Sequence, residues 1–258
     1  MERQIKLTVA YDGTEYCGFQ VQKNGTSITT VLNEVLTRVA GHPVKITGVS
    51  RTDAGVHAQG QVATFFLLGN IPTERIALAV NGLLPADIVV KETVEVPLDF
   101  YCRRDVVGKH YRYVVRTEAI SSPFDYRYVW HYPCSLDLQA IAKGISLVEG
   151  EHDFRAFTAA NSGVDNFVRR VDKITVHQEA GDWVFDFWGH GFLYKMVRSL
   201  VGYLVDVGRG FFGPEIALAA LVSGDRSLLG YTAPAKGLTL VKIYYNDEYY
   251  IDKDQELG

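Results

Sequence analysis

A chain of 258 residues, 47% hydrophobic and 22% charged, is long and apolar enough to bury a real core, which excludes a disordered or collagen-like protein. Its formal charge of -4 sits at the end: Asp247, Glu248, Asp252, Asp254 and Glu256 against Lys253 account for all of it, leaving residues 1–246 neutral. No apolar run approaches the ~20 residues of a membrane helix and no leader pattern opens the chain, so a soluble cytoplasmic protein is expected.

Residues 4–11 alternate, with Ile5, Leu7, Val9 and Tyr11 on one side and Lys6, Thr8 and Ala10 on the other, which predicts a half-buried strand. Ile28, Val31, Leu32, Val35, Leu36 and Val39 then recur at helical spacing between Ser27 as N-cap and Gly41 as stop signal. Residues 44–49 and 61–68 read as strands around a polar loop at 51–57. Pro72 and Thr73 open a helix carrying Ile76, Val80, Leu83 and Leu84, and a strand at 87–96 completes the order β-α-β-β-α-β.

The second half repeats that order without obvious sequence identity. It reads as a strand at 106–116, a helix at 138–148 ended by Gly150, and a hairpin of 171–177 with 183–187 across Ala180, Gly181 and Asp182. A long helix carries Leu193, Met196, Val197, Leu200, Val201, Leu204 and Val205 on one stripe and ends near Gly208. A short helix at 214–222 and a strand at 238–245 follow. The predicted organisation is an α+β half at 1–104, a second at 105–246 and an acidic tail at 247–258. Two such halves can join edge to edge with a cleft between them.

Cys17, Cys102 and Cys134 are odd in number and show no C-x-x-C spacing, and the histidines are unpaired, so neither a disulfide framework nor a metal site is expected. The loop Arg51-Thr52-Asp53-Ala54-Gly55-Val56-His57-Ala58 interrupts two strongly apolar strands, a setting in which reactive groups occur. Taken alone, Asp53 reads as a turn-former rather than a nucleophile, and His57 as a structural hydrogen-bonder. In Lys109-His110-Tyr111-Arg112-Tyr113 the strand period sets the tyrosines on one face and the basic residues on the other. That suits base stacking with phosphate contacts, and equally a tyrosine-rich core. Arg103, Arg104, Lys109, Arg112 and Arg116 form one basic run; Arg169, Arg170 and Lys173 form another. Arg198 lies beside the apolar stripe of the long helix, placed either to reach water or to meet a carboxylate.

Together these blocks resemble the signatures of the tRNA pseudouridine synthase A family. The matching stretches are the Asp53 loop, Lys109 to Tyr113, and Gly191-Phe192-Leu193-Tyr194-Lys195-Met196-Val197-Arg198. Tyr11-Asp12-Gly13-Thr14 through Phe19-Gln20, and the blocks at 81–85, 150–157 and 233–238, match as well. One departure is Phe100-Tyr101-Cys102-Arg103, where members usually read Phe-His-Ala-Arg. The resemblance implies two RRM-like or ferredoxin-like halves joined through a mixed central sheet, with helices packed on it and a catalytic cleft between the halves. It implies isomerisation of uridine to pseudouridine at positions 38, 39 and 40 of the tRNA anticodon stem-loop, by a homodimer using no cofactor or metal. By the same resemblance Asp53 is the catalytic aspartate, Tyr111 packs on the target base and Arg198 is the aspartate's partner. Arg51, two residues from Asp53, is placed to hold the vacated position or a phosphate, and Lys109, Arg112, Arg169 and Arg170 are candidate phosphate contacts. The competing readings are a non-catalytic RNA-binding protein with RRM-like halves and a uracil-removing hydrolase.

Overall fold

Ile5, Leu7, Val9 and Tyr11 are all buried, as their period of two requires, and they anchor the first of two units into which the contacts divide the chain. The computed structural model describes residues 2–23, 25–159 and 163–245, so the acidic stretch at 247–258 lies outside the described residues. The first unit is Met1–Val107 with Thr239–Asn246, and the second includes Gly108–Leu238.

In the first unit the order is β1 (Glu2–Tyr11), α1 (Ile28–Ala40), β2 (Thr47–Gly48), β3 (His57–Leu68), α2 (Thr73–Asn81) and β4 (Ile88–Val96). Strand β1 lies between β4 and β3, antiparallel to both, and β2 pairs antiparallel with β3. Helix α1 begins where Ser27 Oγ accepts the Thr30 N–H at 3.1 Å and ends at Gly41, left-handed at φ 72°. Strand β2 is shorter than the predicted 44–49, because α1 takes its backbone donors: Val44 N–H donates to Thr37 Oγ1 and Ile46 N–H to Asn33 Oδ1, both at 2.9 Å. Helix α2 stops before Leu83 and Leu84. Its last residue, Asn81, instead clamps the Val90 backbone through both ends of its amide at 2.8 Å.

The last strand, β10 (Leu238–Tyr245), belongs to this first unit rather than to the second half in which its place in the chain had put it. It runs parallel to β3, with Thr239 opposite His57 and Leu240 opposite Ala58. Tyr245 locks it, donating its hydroxyl to Cys102 O at 2.9 Å and packing its ring 5.3 Å from that of Phe100.

The second unit contains β5 (Val106–Arg116, from Gly108 on), β6 (Trp130–His131), α3 (Leu138–Val148), β7 (Gly150–Asp153), β8 (Val168–Glu179), β9 (Asp182–Gly189), α4 (Met196–Gly208) and α5 (Ile216–Ser223). Its sheet runs β5-β9-β8-β7, all antiparallel, with β6 parallel to β5. The hairpin turns on Ala180 and Gly181, both at positive φ (49° and 88°), and Asp182 is already strand. The short strands β6 and β7 carry no periodic signal and are absent from the sequence reading. Helix α4 is buried on every side, not along one stripe, and Arg198 is its one residue that is not buried. It starts at Met196, after Lys195 in the left-handed region at φ 61°; Leu193 is buried but lies ahead of it.

Candidate active site

Asp53 sits in a turn closed by the backbone: its carbonyl accepts the Val56 N–H at 3.1 Å, with Gly55 at φ 77° in the third position, as a type II turn demands. Asp53 itself is half-buried, while Arg51 is exposed. The segment 11–19 holds the loop from beneath. Tyr11 Oη and Thr52 Oγ1 share a buried hydrogen bond of 2.7 Å, and Phe19 N–H donates to Thr52 O at 3.1 Å. A Cβ on Gly13 would stand 2.0 Å from Val56 O, and one on Gly18, at φ +102°, 2.7 Å from Thr52 O. Gln61, fully buried, fixes the approach by holding Ser50 through both N–H and C=O. His57 is the structural hydrogen-bonder expected of it: Nδ1 accepts the Gly13 N–H at 3.1 Å and lies 3.1 Å from Asp12 Oδ1.

This close packing makes a test. Gly13→Ala pushes a methyl group into the Val56 carbonyl and must move the loop, and a displacement near 1 Å at a catalytic group costs about 10²-fold in rate. We expect a folded protein with a single-turnover rate down by that order; an unchanged rate would show that the loop's position is not critical.

In the second unit, Tyr111 is 9% exposed on β5 and packs perpendicular to Phe192, ring centroids 5.4 Å apart at 86°. Phe192 belongs to the irregular segment between β9 and α4. That segment is tied to the 150–159 stretch, since Tyr194 O accepts from Thr158 Oγ1 at 2.9 Å. Arg198 donates Nε–H to Ala233 O at 2.7 Å and accepts the Ala233 N–H on its own carbonyl at 3.1 Å. The next residue, Pro234, accepts the Tyr113 hydroxyl at 2.7 Å. Burial pushes the Tyr113 phenol well up, and the nearby Arg198 charge opposes that shift. The 233–238 block thus braces both Arg198 and Tyr113, a role visible in the sequence only as a family motif.

The basic run is largely neutralised within the chain. Arg104 pairs with Asp105. Arg116 pairs bidentately with Asp182 and also with Asp125. Arg112 grips Asp186 through Nε (2.9 Å) and Nη2 (3.1 Å), where His110 Nε2 also meets it at 2.6 Å. Burial pushes the Asp186 carboxyl up, but the bonds from His110 and Arg112 outweigh it and hold the group below the usual range. In the second basic group, Arg170 Nε donates to Asp172, and Arg169 Nη1 to the carbonyls of Asn166 and Val168. Lys109 and Val171 both lie opposite Gly189, about 10 Å apart across the sheet, and Arg170 precedes Val171 in the chain.

Asp186→Asn leaves the Arg112 guanidinium without its anion and weakens the acceptor that meets His110. A fully buried pair costs about 3–5 kcal/mol when broken, but Arg112 is 39% exposed, so about 1–3 kcal/mol is expected. Because the folded-state pKa is lowered, this stabilisation is present above about pH 4 and is lost as pH falls through the folded value. Melting curves should show the variant's deficit at pH 7 and a deficit that shrinks as pH falls below about 4.

The three cysteines are free thiols. Among the described residues no group of three or more His, Cys, Asp or Glu is placed to hold a metal, and no helix is long and apolar enough to cross a membrane.

Comparison with known proteins defines the class. A family model described as tRNA pseudouridine synthase matches residues 7–105 and 145–246, spanning most of both units. The chain is 42% identical over 243 residues to tRNA pseudouridine synthase A of Geotalea uraniireducens, covering 94% of this chain and 100% of that one. The same protein of Exiguobacterium sibiricum is 44% identical (94% and 97% covered), and that of Moorella thermoacetica 42% (93% and 99%). The chain belongs to the tRNA pseudouridine synthase A family, a family of isomerases.

Proposed function

We propose that the protein isomerises uridine to pseudouridine at positions 38, 39 and 40 of the tRNA anticodon stem-loop, with Asp53 as nucleophile and without a cofactor. The observation that carries this is the Asp53 turn. It is closed by backbone and glycine and clamped by Tyr11, Gly13 and Gly18, which hold a half-buried aspartate in a fixed loop. The reaction breaks an N-glycosidic bond, turns the detached uracil and rejoins it through carbon, a sequence a carboxylate can assist covalently. Flipping the target base from its stack costs a few kcal/mol, and stacking on Tyr111 returns about 1–3 kcal/mol. Arg198 is the proposed partner of Asp53, favouring the charged carboxylate against the burial that would neutralise it. Arg51 takes the vacated position or a phosphate. The protein acts as a homodimer in the cytoplasm, a reading that rests on the family resemblance.

Incubation with an unmodified tRNA bearing uridines at 38–40 tests this: pseudouridine supports it, free uracil points to a hydrolase, and tightly bound but unchanged RNA to a binding protein. Lys109, Arg112, Arg169 and Arg170 are the proposed phosphate contacts. Each phosphate neutralised adds about 0.9 or less to the logarithmic salt slope of binding, so Lys109→Ala should reduce that slope by up to this amount. An unchanged slope would remove Lys109 from the interface.

A further inference from the structure

A groove in the first unit, apart from the Asp53 loop, encloses about 330 Å³ between Gln4, Lys45, Phe66, Leu98, Tyr101 and Arg104. Gln4 pairs with Phe66 across β1 and β3, about 30 Å along β3 from the His57 end where the Asp53 loop joins. Three features of its wall are unusual together. Gln4 is 5% exposed, and while its Nε2 donates to Phe100 O at 2.9 Å, its Oε1 is buried without a donor. A buried acceptor left unpaired is costly, and a small turn of the Gln4 amide toward the groove would let an N–H from outside relieve that cost. Tyr101 and Phe66 leave about half of their surfaces open, 49% and 47%. Lys45 is exposed on the same wall, whereas Arg104 is already held by Asp105. Tyr101 is also where this chain departs from the usual family motif; the backbone around it is fixed, its N–H donating to Asp105 Oδ2 at 2.9 Å.

A flat ring face, a single buried acceptor and a nearby cation match a nucleotide. A base is open to stacking on a side chain and to reading along its Watson–Crick edge when it is splayed out of a helix, so a ring face beside an acceptor points to an unpaired one. We propose that this groove takes one unpaired nucleotide of the RNA substrate, its base stacked on Tyr101, an N–H donated to Gln4 Oε1 and its phosphate on Lys45. The proposal rests on RNA as the substrate but not on the role of Asp53.

The test is the affinity of the full-length protein for unmodified tRNA, with the single-turnover rate at saturating protein as a second readout. Tyr101→Ala removes an exposed ring and should raise Kd roughly five- to hundredfold, with the rate on bound RNA unchanged; Tyr101→Phe should stay near the original value. Lys45→Ala should raise Kd and lower the salt slope by about 0.9 or less. Unchanged Kd in both Tyr101→Ala and Lys45→Ala would overturn the proposal. So would a Tyr101→Ala protein that loses a subunit by light scattering, which would assign the groove to a second copy of the chain. If the unsubstituted protein binds tRNA and leaves it unmodified, the functional reading fails while the Kd comparison still decides the groove. If it does not bind tRNA at all, the groove proposal fails too.

Discussion

Asp53→Asn is expected to abolish pseudouridine formation while the fold and tRNA binding persist. Asparagine keeps the shape of the side chain and most of its hydrogen bonding, but it carries no charge and is no nucleophile. The loss in single-turnover rate should be roughly 10⁴-fold or more, the scale seen when a nucleophile is removed. The turn itself should be indifferent, because Asp53 O and Val56 N–H close it and Gly55 supplies the positive φ. A turn-forming aspartate gives the opposite outcome, since asparagine serves such turns equally well and activity would survive. The decisive measurement is pseudouridine formed per bound tRNA with enzyme in excess, beside a melting curve. Near-normal yield with RNA bound would end the catalytic assignment.

Arg198→Ala carries the second large effect, and its signature is different. Arg198 is the one residue of α4 that is not buried, and its Nε–H is spent on Ala233 O. Alanine leaves that carbonyl without its donor and loosens the 233–238 block against which Tyr113 is also anchored through Pro234. One hydrogen bond and some packing should cost about 1–3 kcal/mol, or roughly 2–10 °C in melting temperature. Activity should fall by a further, larger factor of about 10²–10³, the scale of a lost electrostatic partner to a reacting group. Arg198→Lys separates the two roles. It keeps the charge but lacks the planar fork, so it should recover little of the rate if geometry matters and most of it if charge alone does. A stable Arg198→Ala protein with full activity would remove Arg198 from the mechanism.

The exposed and buried faces of β1, the whole of α1 with both caps, and the exact spans of α3, β5 and β10 follow from local signals, because periodicity and capping depend only on near neighbours. The residues proposed for chemistry were also legible, but through family motifs rather than through any physical pattern; a lone aspartate in a polar loop reads as a turn-former. What the sequence left open were matters of long-range partnership. Residues 44–46 are strand-like by composition, yet α1 side chains satisfy their backbone and only Thr47–Gly48 pairs as strand. Strand β10 lies beside β3, some 180 residues earlier in the chain, and no local pattern assigns it there. Charge counting along the chain shows a basic run but not its partners: tertiary pairing sets Arg112 on Asp186 and Arg116 on Asp182, carboxylates that reach them only when β9 aligns beside β5. Local propensity and spacing determined which elements form; the cross-strand register, which depends on residues far apart in sequence, decided what each charged group is free to do.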